Sequence, residues 1–134
     1  MTLRVALVVP DRELWAGEAR TVIAKTTEGD IGVLSGHSPV FGILAEGSLV
    51  EILPPSESAD APVTRAAVSG GFLSVANDQV SILAAEAQLS EDVDAAQARS
   101  DLEAALSSGE TVNGDETAEV KYARARLRAA GQQA

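Results

Sequence analysis

The first two thirds of the chain consist of short apolar segments separated by residues that favour turns. Segments 3–9 and 20–26 are rich in aliphatic and β-branched residues, and segment 48–53 alternates with a period of two. Pro10-Asp11 and Asn77-Asp78 lie between such segments and supply the backbone geometry that turns require. Short strands spaced by turns, with no helical period between them, predict an antiparallel β-sandwich or flattened barrel.

Residues 28–39 form the least regular stretch between two of these segments. They contain three glycines, a proline, two acidic residues and the single histidine of the chain. Closely spaced glycines indicate unusual dihedral angles or close backbone approach, and Pro39 prevents a helix from continuing through the stretch. We expect an ordered loop between strands, whose polar tip presents Asp30, Ser35 and His37 to a partner.

Three smaller features bear on the sandwich. Trp15 is the only tryptophan, and we expect it to close one end of the core, with stacking on a ligand as the alternative. Gly17 and the pair Gly70-Gly71 are predicted bulges, or for the pair a bend between two sheets. Residues 54–62 contain three prolines and no bulky apolar side chain, which predicts an exposed loop.

The charge of the chain limits the functions that it can have. Its 134 residues include 20 acidic and 10 basic residues, a net charge of −10. Residues 88–120 carry nine acidic residues and one basic residue, whereas residues 121–134 carry four basic residues and no acidic one. An acidic body with few aromatic residues argues against nucleic acid as a partner. With one histidine and no cysteine we expect no metal centre.

The pattern changes after residue 87, and the remaining chain predicts two helices. Ser90 is the expected N-cap of the first helix, and Asp115 is the expected N-cap of the second. Apolar residues recur at intervals of three or four: Ala95, Ala98, Leu102 and Leu106, then Val120, Ala123, Leu127 and Ala130. Because both stripes are narrow and rich in alanine, we expect a lightly docked helical hairpin. The predicted domains are a β-sandwich at residues 1–87 and a hairpin at residues 88–134.

A specific motif accompanies this order of strands and helices. Residues 27–39 read TEGDIGVLSGHSP. Three further segments belong to the same pattern: VPDR at 9–12, WAGEA at 15–19 and VSGGFL at 68–73. In these segments the chain resembles the epsilon subunit of F-type ATP synthases. The resemblance is nearly continuous over residues 3–87 and looser over the helices.

The resemblance implies a ten-stranded β-sandwich, a helical hairpin and a non-catalytic role in the rotor of ATP synthase. The gamma subunit would hold the sandwich, and the glycine-rich stretch would touch the ring of c subunits. Carried over by position, the implied c-ring contacts are Glu28, Asp30, Ile31 and His37. The polar loops of c subunits usually offer basic or amide groups, which suits carboxylates at these positions. Exposed ion pairs contribute ~0–1 kcal/mol each, so several must act together.

The resemblance also implies that the hairpin regulates ATP hydrolysis by extending along gamma into transient contact with the alpha and beta subunits. Arg124, Arg126 and Arg128 would supply positive charge there, and a solvated helix end is the alternative interpretation. Family members that bind ATP carry an [ILV]-D-x-x-R-A motif at the start of the first helix. The chain has Asp94 in this motif but Gln97 in place of the arginine, and glutamine cannot neutralise phosphate charge. We therefore expect no cofactor, and the degenerate motif weakens the case for ATP.

The apolar segments are much shorter than the ~20 residues that a membrane-spanning helix needs, and the N-terminus lacks the pattern of a secretory signal. We expect the chain to reach a membrane only through the complex, on the cytoplasmic face of the bacterial plasma membrane. Two other hypotheses remain open: a stand-alone sandwich that binds a small anionic or sugar ligand, and an enzyme that uses His37 beside Ser35 and Ser38.

Overall fold

A computed structural model describes residues 2–55, 62–112 and 114–132, and over these ranges the chain folds as a β-sandwich followed by two helices. The loop predicted at residues 54–62 lies mostly outside the described residues. Ten strands build the sandwich: β1 (Leu3–Val9), β2 (Arg12–Ala19), β3 (Thr21–Thr26), β4 (Gly29–Leu34), β5 (Val40–Leu44), β6 (Ser48–Leu53), β7 (Thr64–Val68), β8 (Gly71–Ala76), β9 (Gln79–Ala84) and β10 (Ala87–Leu89). The fold class that the sequence predicts is confirmed.

The ten strands form one hydrogen-bonded sheet that folds into two layers. One layer has the order β4-β3-β6-β7-β10, and the other has the order β5-β8-β9-β1-β2. A single bridge between Thr26 and Leu44 joins the two layers. The pairs are antiparallel except β1 with β9, which run parallel. The sandwich is therefore mostly antiparallel, with one parallel pair that the sequence pattern did not indicate.

Alternate residues of the strands point between the layers and form the core. In β1, Leu3, Val5 and Leu7 are at most 1% exposed, whereas Arg4 between them lies in solvent. Each fully buried aliphatic side chain of this kind contributes about 1.5–3 kcal/mol relative to leaving it exposed. The two-residue period of the sequence therefore arises because each such strand has one buried face and one outer face.

The glycine-rich stretch is not a loop along its whole length. Residues 29–34 pair with β3 as strand β4, so the predicted loop is wrong there and correct only for the turns on either side. Val33 is fully buried in the core, and Ile31 packs against the core from the same face of the strand. These two apolar residues give the stretch an inner face, and this outweighs the cost of its glycines.

The irregularity in β2 lies at Leu14 rather than at Gly17. The register of β2 against β1 shifts between Trp15 and Glu13, which leaves Leu14 without a partner in β1. Gly17 instead makes room for the indole, because a Cβ at position 17 would lie 3.0 Å from the ring of Trp15. Trp15 is half-buried and packs against the sandwich core, in agreement with its structural interpretation.

The glycine pair marks the bend between the two layers. Of the two structures predicted for this pair, a bulge or a bend, the bend is the one observed. Gly70 and Gly71 have φ values of +144° and +139°, and they connect β7 in one layer to β8 in the other. A Cβ at Gly71 would lie 1.9 Å from the carbonyl oxygen of Leu83, so only glycine fits this close approach. The sheet itself continues to Leu89, two residues beyond the boundary predicted at residue 87.

Two helices follow the sandwich, and both predicted N-caps are wrong. Helix α1 spans Ala95–Ser107 and helix α2 spans Ala118–Ala129. Asp94 caps α1, since its carboxylate accepts a hydrogen bond from the backbone N–H of Gln97 at 3.1 Å. Thr117 caps α2 through its hydroxyl oxygen. Ser90 instead begins a separate 3₁₀ turn, Ser90–Asp92, and Asp115 lies in a two-stranded ribbon of β11 (Thr111–Val112) and β12 (Asp115–Glu116).

The helices pack against each other through the predicted apolar stripes, with two exceptions. The buried members are Ala98, Leu102, Val120, Ala123 and Leu127. Leu106 was expected in this stripe but is 47% exposed, and in the same turn Ala105 packs at the edge of the cluster instead. Ala130 was expected in the stripe of α2 but is the C-cap residue that follows the helix and is not part of the cluster. The stripe of α1 is therefore shorter than the sequence indicated, and only two of its residues are fully buried.

A second face of α2 docks on the outer surface of β6 and β7. Tyr122 and Ala125 of α2 are buried together with Ala67 of β7, and Leu49 of β6 packs at the edge of this cluster. The backbone of α2 also approaches Gly47 so closely that a Cβ at position 47 would lie 2.3 Å from the carbonyl group of Lys121. The hairpin is thus seated on the sandwich through a small, close contact.

Candidate functional site

The turn between β3 and β4 forms an acidic tip, which we define as Glu28 and Asp30. Both side chains are exposed. Thr26 fixes the turn, because its hydroxyl donates to the carbonyl oxygen of Gly29 at 2.7 Å and accepts from the N–H of Glu28 at 3.2 Å. The tip therefore presents two carboxylates on an ordered backbone, with Ile31 turned inward toward the core.

The turn after β4, residues 35–38, carries the histidine and is called the His37 turn below. The N–H of His37 donates to the carbonyl oxygen of Leu34 at 3.1 Å, and Gly36 has a φ of +86° that suits glycine. Nδ1 of His37 lies 2.7 Å from the carbonyl oxygen of Ser38, which makes Nδ1 the donor. The histidine is half-buried and leaves Nε2 free of this contact.

Asp78, in the neighbouring turn between β8 and β9, holds the His37 turn. Its carboxylate accepts from the Ser35 hydroxyl at 2.9 Å and from the Gly36 N–H at 2.7 Å. These two hydrogen bonds keep the pKa of Asp78 below its ordinary value, with the Gly36 N–H as the larger cause. Asp78 itself lies in the tight β8–β9 turn with Asn77, and both residues have positive φ.

The acidic tip and the His37 turn lie at opposite ends of β4. A strand rises about 3.3 Å per residue, so the six residues of β4 separate them by roughly 17 Å. The sequence led us to expect one polar tip that presents Asp30, Ser35 and His37 together, and this expectation is wrong. The extended backbone of β4 is the reason, and it divides the predicted contact residues into two places.

An exposed apolar face covers the outer surface of β5, β8 and β9. It consists of Phe41 (66% exposed), Ile43 (52%), Phe72 (46%) and Leu83 (46%). Ile43, Phe72 and Leu83 are cross-strand neighbours in one row. The rings of Phe41 and Phe72 stack with centroids 5.4 Å apart. Contiguous exposed apolar side chains of this kind are typical of protein-binding surfaces.

The three arginines of α2 are each bound within the chain. Arg124 forms a bidentate ion pair with Glu116, with Nε–Oε1 and Nη2–Oε2 distances of 3.0 and 2.6 Å. Nη2 of Arg126 lies 2.9 Å from a carboxylate oxygen of Asp101 in α1. Nη2 of Arg128 donates to the carbonyl oxygen of Gly47 at 3.1 Å. In this conformation Arg124 and Arg126 are therefore paired with carboxylates, whereas Arg128 is exposed and makes a hydrogen bond to a backbone oxygen.

The ion pairs of Arg124 and Arg126 lower the pKa values of their carboxylate partners, and Arg126 also packs against an aromatic ring. Arg126 holds the pKa of Asp101 below its ordinary value, and the side chain of Gln97 contributes a second hydrogen bond in the same direction. Arg124 lowers the pKa of Glu116 in the same way. The guanidinium of Arg126 also lies 5.0 Å from the ring centroid of Tyr122, and burial raises the pKa of that hydroxyl.

The degenerate ATP-binding motif serves the structure of α1. The Asp94 carboxylate caps the helix, and Nε2 of Gln97 donates to Oδ1 of Asp101 at 2.8 Å. A groove of about 630 Å³ lies between the two helices and the sandwich. Its charged lining contains four carboxylates and one guanidinium: Glu86, Asp101, Glu110, Glu119 and Arg126. This charge pattern repels a polyphosphate.

Two further observations concern the described part of the chain. No group of three or more histidine, aspartate or glutamate side chains in it could hold a metal ion. Neither of its helices has the length and apolarity that crossing a membrane requires.

Sequence reasoning missed the apolar face, the Asp78 contact and the acidic partners of the arginines. The apolar face had a signal, because residues 40–44 read VFGIL without polar alternation, and a strand that is apolar on both sides is covered on both sides. The contact between Asp78 and Ser35 joins residues 43 apart, and nothing in the sequence pairs them. The same holds for Asp101 and Arg126.

The fold and surfaces define a sandwich-and-hairpin adaptor, and comparison with known proteins names its class. The family model described as "ATP synthase, Delta/Epsilon chain, beta-sandwich domain" matches residues 2–90. The ATP synthase epsilon chain of Thermobifida fusca is 52% identical over 132 residues, covering 96% of this chain and 91% of the relative. That of Streptomyces avermitilis is 43% identical, covering 95% and 94%. The chain therefore belongs to the ATP synthase epsilon chain family.

Solved structures share the fold at lower identity. A chain in the cryo-EM structure of the Euglena gracilis mitochondrial ATP synthase (OSCP/F1/c-ring, rotational state 1) has a TM-score of 0.72 and 23% identity, with 98% of this chain and 82% of that chain covered. A chain in the central stalk and c-ring of the Tetrahymena thermophila mitochondrial enzyme has a TM-score of 0.56 and 19% identity, covering 72% and 73%. The first match covers nearly the whole chain, so its fold agreement includes the helices.

Proposed function

We propose that the chain is the non-catalytic epsilon subunit of the F1 sector of a proton-translocating ATP synthase. It links the gamma subunit to the c-ring in the central stalk and regulates ATP hydrolysis through its helical hairpin. Family membership supports this function over a stand-alone sugar-binding or anion-binding module and over an enzyme that uses His37. Both structural neighbours come from assemblies whose descriptions include a c-ring.

The apolar face is the observation that carries the proposal, and we assign it to gamma. Four large side chains exposed on three adjacent strands are expensive to leave in water, so a permanent partner must cover them. Gamma is the partner that must hold the sandwich firmly through every turn of the rotor. The His37 turn leads directly into β5 and borders this face, so His37 is assigned to the same contact.

The acidic tip is assigned to the c-ring. Glu28 and Asp30 project from one end of β4 on a backbone that Thr26 keeps ordered. Carboxylates suit the basic and amide groups of c-subunit loops. Each exposed ion pair is weak, so this contact supplies little of the affinity of the chain for the rotor. Its role is to transmit torque between the chain and the c-ring. Ile31 supports the tip from inside, because it packs against the core.

The assignment of the apolar face is tested by binding to an epsilon-free complex of alpha, beta and gamma subunits. Phe41→Ser removes a side chain that is 66% exposed and stacks on Phe72, so folding is spared while the contact is lost. Burying a large apolar side chain is worth about 1.5–3 kcal/mol, which predicts about ten- to hundredfold weaker binding. Val112→Ser is the matched control, since Val112 is 58% exposed in the ribbon of the hairpin. Equal affinities for the two variants would refute the assignment.

The hairpin is proposed to be the regulatory element, in a docked state that keeps its arginines occupied. Arg124, Arg126 and Arg128 are bound to Glu116, Asp101 and the Gly47 carbonyl oxygen. A hairpin released from the sandwich would free these cations for acidic segments of the alpha and beta subunits. Deleting residues 118–134 should then raise ATP hydrolysis by the assembled enzyme. An unchanged rate would remove the regulatory role.

We propose that the chain works without a bound nucleotide. Asp94 and Gln97 are used within α1, and the neighbouring groove is acidic. Calorimetric titration with magnesium ATP up to millimolar concentration should therefore give no heat of binding.

We also propose that the chain, as part of the complex, lies on the cytoplasmic face of the bacterial plasma membrane. Low-salt washing should then release the chain from that membrane together with F1.

A further inference from the structure

We propose that Asp78 is a positioning residue for the contact with gamma, because its carboxylate clamps the His37 turn in one geometry. The inference rests on the proposed function, which assigns the His37 turn and the adjoining apolar face to gamma. It adds a residue that acts through the His37 turn and that lies 41 positions from His37 in the sequence.

The geometry of the clamp is bidentate. Oδ2 of Asp78 accepts from the Ser35 hydroxyl at 2.9 Å, and Oδ1 accepts from the Gly36 N–H at 2.7 Å. Hydrogen bonds to a carboxylate are short and about twice as strong as those between neutral groups. Two of them from adjacent residues fix both the position and the orientation of the turn, which a single bond would not do.

The clamp is needed because the turn has little else to hold it. The turn crosses from β4 in one layer to β5 in the other. Among the described residues, strand pairing between the layers is limited to the Thr26–Leu44 bridge, at the opposite end of these strands. Gly36 has positive φ and open space around its α-carbon, so the backbone there is not confined by packing. The hydrogen bonds described within the turn, from the His37 N–H to the Leu34 carbonyl oxygen and from Nδ1 of His37 to the Ser38 carbonyl oxygen, join residues of the turn and the end of β4. They do not tie the turn to the other layer.

Asp78 is itself anchored, so it can transmit position. Its backbone carbonyl oxygen accepts from the N–H of Arg4 in β1 at 2.8 Å, which ties the β8–β9 turn to a strand of the core. Its φ of +60°, next to Asn77 at +53°, belongs to the two-residue turn that matches the twist of a β-hairpin. The clamp thus connects the His37 turn to the rigid layer that carries the apolar face.

The conformation of Asp78 allows a clean pair of variants. Glycine adopts positive φ without strain, so Asp78→Gly keeps the β8–β9 turn and removes only the clamp. Asparagine also tolerates this conformation, and its amide can accept from Gly36 and donate to Ser35, so Asp78→Asn retains the clamp. Exchange of the Gly36 amide with solvent reports on the clamp directly. It should be faster in the glycine variant and close to wild type in the asparagine variant.

The decisive measurement is affinity for the epsilon-free complex of alpha, beta and gamma subunits, with Phe41→Ser measured in parallel. Binding weakens in proportion to the fraction of molecules in the competent geometry. We expect about tenfold weaker binding for Asp78→Gly, less than about twofold change for Asp78→Asn, and equal thermal midpoints for both.

Each alternative result has a distinct meaning. Wild-type affinity of Asp78→Gly, with Phe41→Ser weakened, overturns the clamp and leaves the proposed function standing. Wild-type affinity of both Asp78→Gly and Phe41→Ser overturns the assignment of this face to gamma, and with it the role of the clamp. Equal weakening of the glycine and asparagine variants overturns the hydrogen-bond account in favour of the charge. A lower thermal midpoint for the glycine variant alone would make Asp78 a residue of the fold rather than of the contact.

Discussion

Substituting alanine for Gly47 should release the helical hairpin from the sandwich. A Cβ at this position would lie 2.3 Å from the carbonyl carbon and oxygen of Lys121, and neither backbone atom can move without the helix. Helix α2 must therefore retreat by about 1 Å to reach ordinary van der Waals contact. The retreat also stretches the hydrogen bond from Arg128 to the carbonyl oxygen of residue 47.

The size of the effect follows from what α2 buries. Tyr122 is the largest side chain in the docking contact and is 9% exposed. A buried aromatic side chain removes about 200 Å² from water, a gross gain of about 5 kcal/mol at about 25 cal/mol per Å². A gap of about 1 Å forfeits a quarter to a half of a dispersion contact, so docking should lose about 1–2 kcal/mol. The undocked population should then rise about five- to thirtyfold.

Cleavage by trypsin measures that population. Lys121 and the three arginines of α2 are its sites, and cleavage follows the open fraction when opening is fast. Alanine at positive φ also costs about 1 kcal/mol by itself. Gly109→Ala is the matched control, because Gly109 has a φ of +68° against +61° for Gly47 and has open space around it. Cleavage of the Gly47 variant at the rate of this control would refute the close-contact account of docking.

Two further predictions test the ion pairs and the bend of the sandwich. The pKa values of Asp101 and Glu116 are lowered by arginine, so their contribution is complete above the ordinary carboxyl pKa near 4 and is lost as pH falls through the lowered values. Exchange protection of α2 should therefore decrease below about pH 4, and Asp101→Asn should flatten this dependence; protection that is constant down to pH 2 contradicts it. Gly71→Ala would place a Cβ 1.9 Å from a backbone oxygen of the next strand, so the melting temperature of the sandwich should fall sharply, whereas Gly32→Ala, which meets open space, should change it little. Equal melting temperatures would refute the account of this bend.

The sequence predicted the sandwich well because its strands have one buried face. Alternation in β1 and β6, and the turn at Asn77-Asp78, are local signals with a direct cause in the structure. The prediction failed for β4, since Gly29, Gly32 and Gly36 suggested a loop while only Ile31 and Val33 reported the inner face. Glycine content indicates which backbone conformations are accessible, whereas the burial of Ile31 and Val33 decides that this stretch adopts the extended one.

The helix caps failed for a different reason. Ser90 and Asp115 are good capping residues, but Asp94 and Thr117 stand directly before the helices and accept hydrogen bonds from the N–H groups of Gln97 and Val120. The first buried residues of the two helices, Ala98 and Val120, pack in the cluster between α1 and α2. Contacts between distant residues, such as Asp78 with Ser35, have no local signature at all. The four predicted c-ring residues share a stretch of ten residues, but strand β4 within that stretch is extended and separates His37 from Glu28 and Asp30.

The two layers of the sandwich give the chain separate duties on its two outer surfaces. Helix α2 covers β6 and β7 in one layer, and the apolar side chains project from β5, β8 and β9 in the other. Under the proposed function, departure of the hairpin would expose new surface on the layer opposite the one assigned to gamma. Inhibition of ATP hydrolysis and attachment to gamma would then depend on different side chains, so substitutions could change one without changing the other.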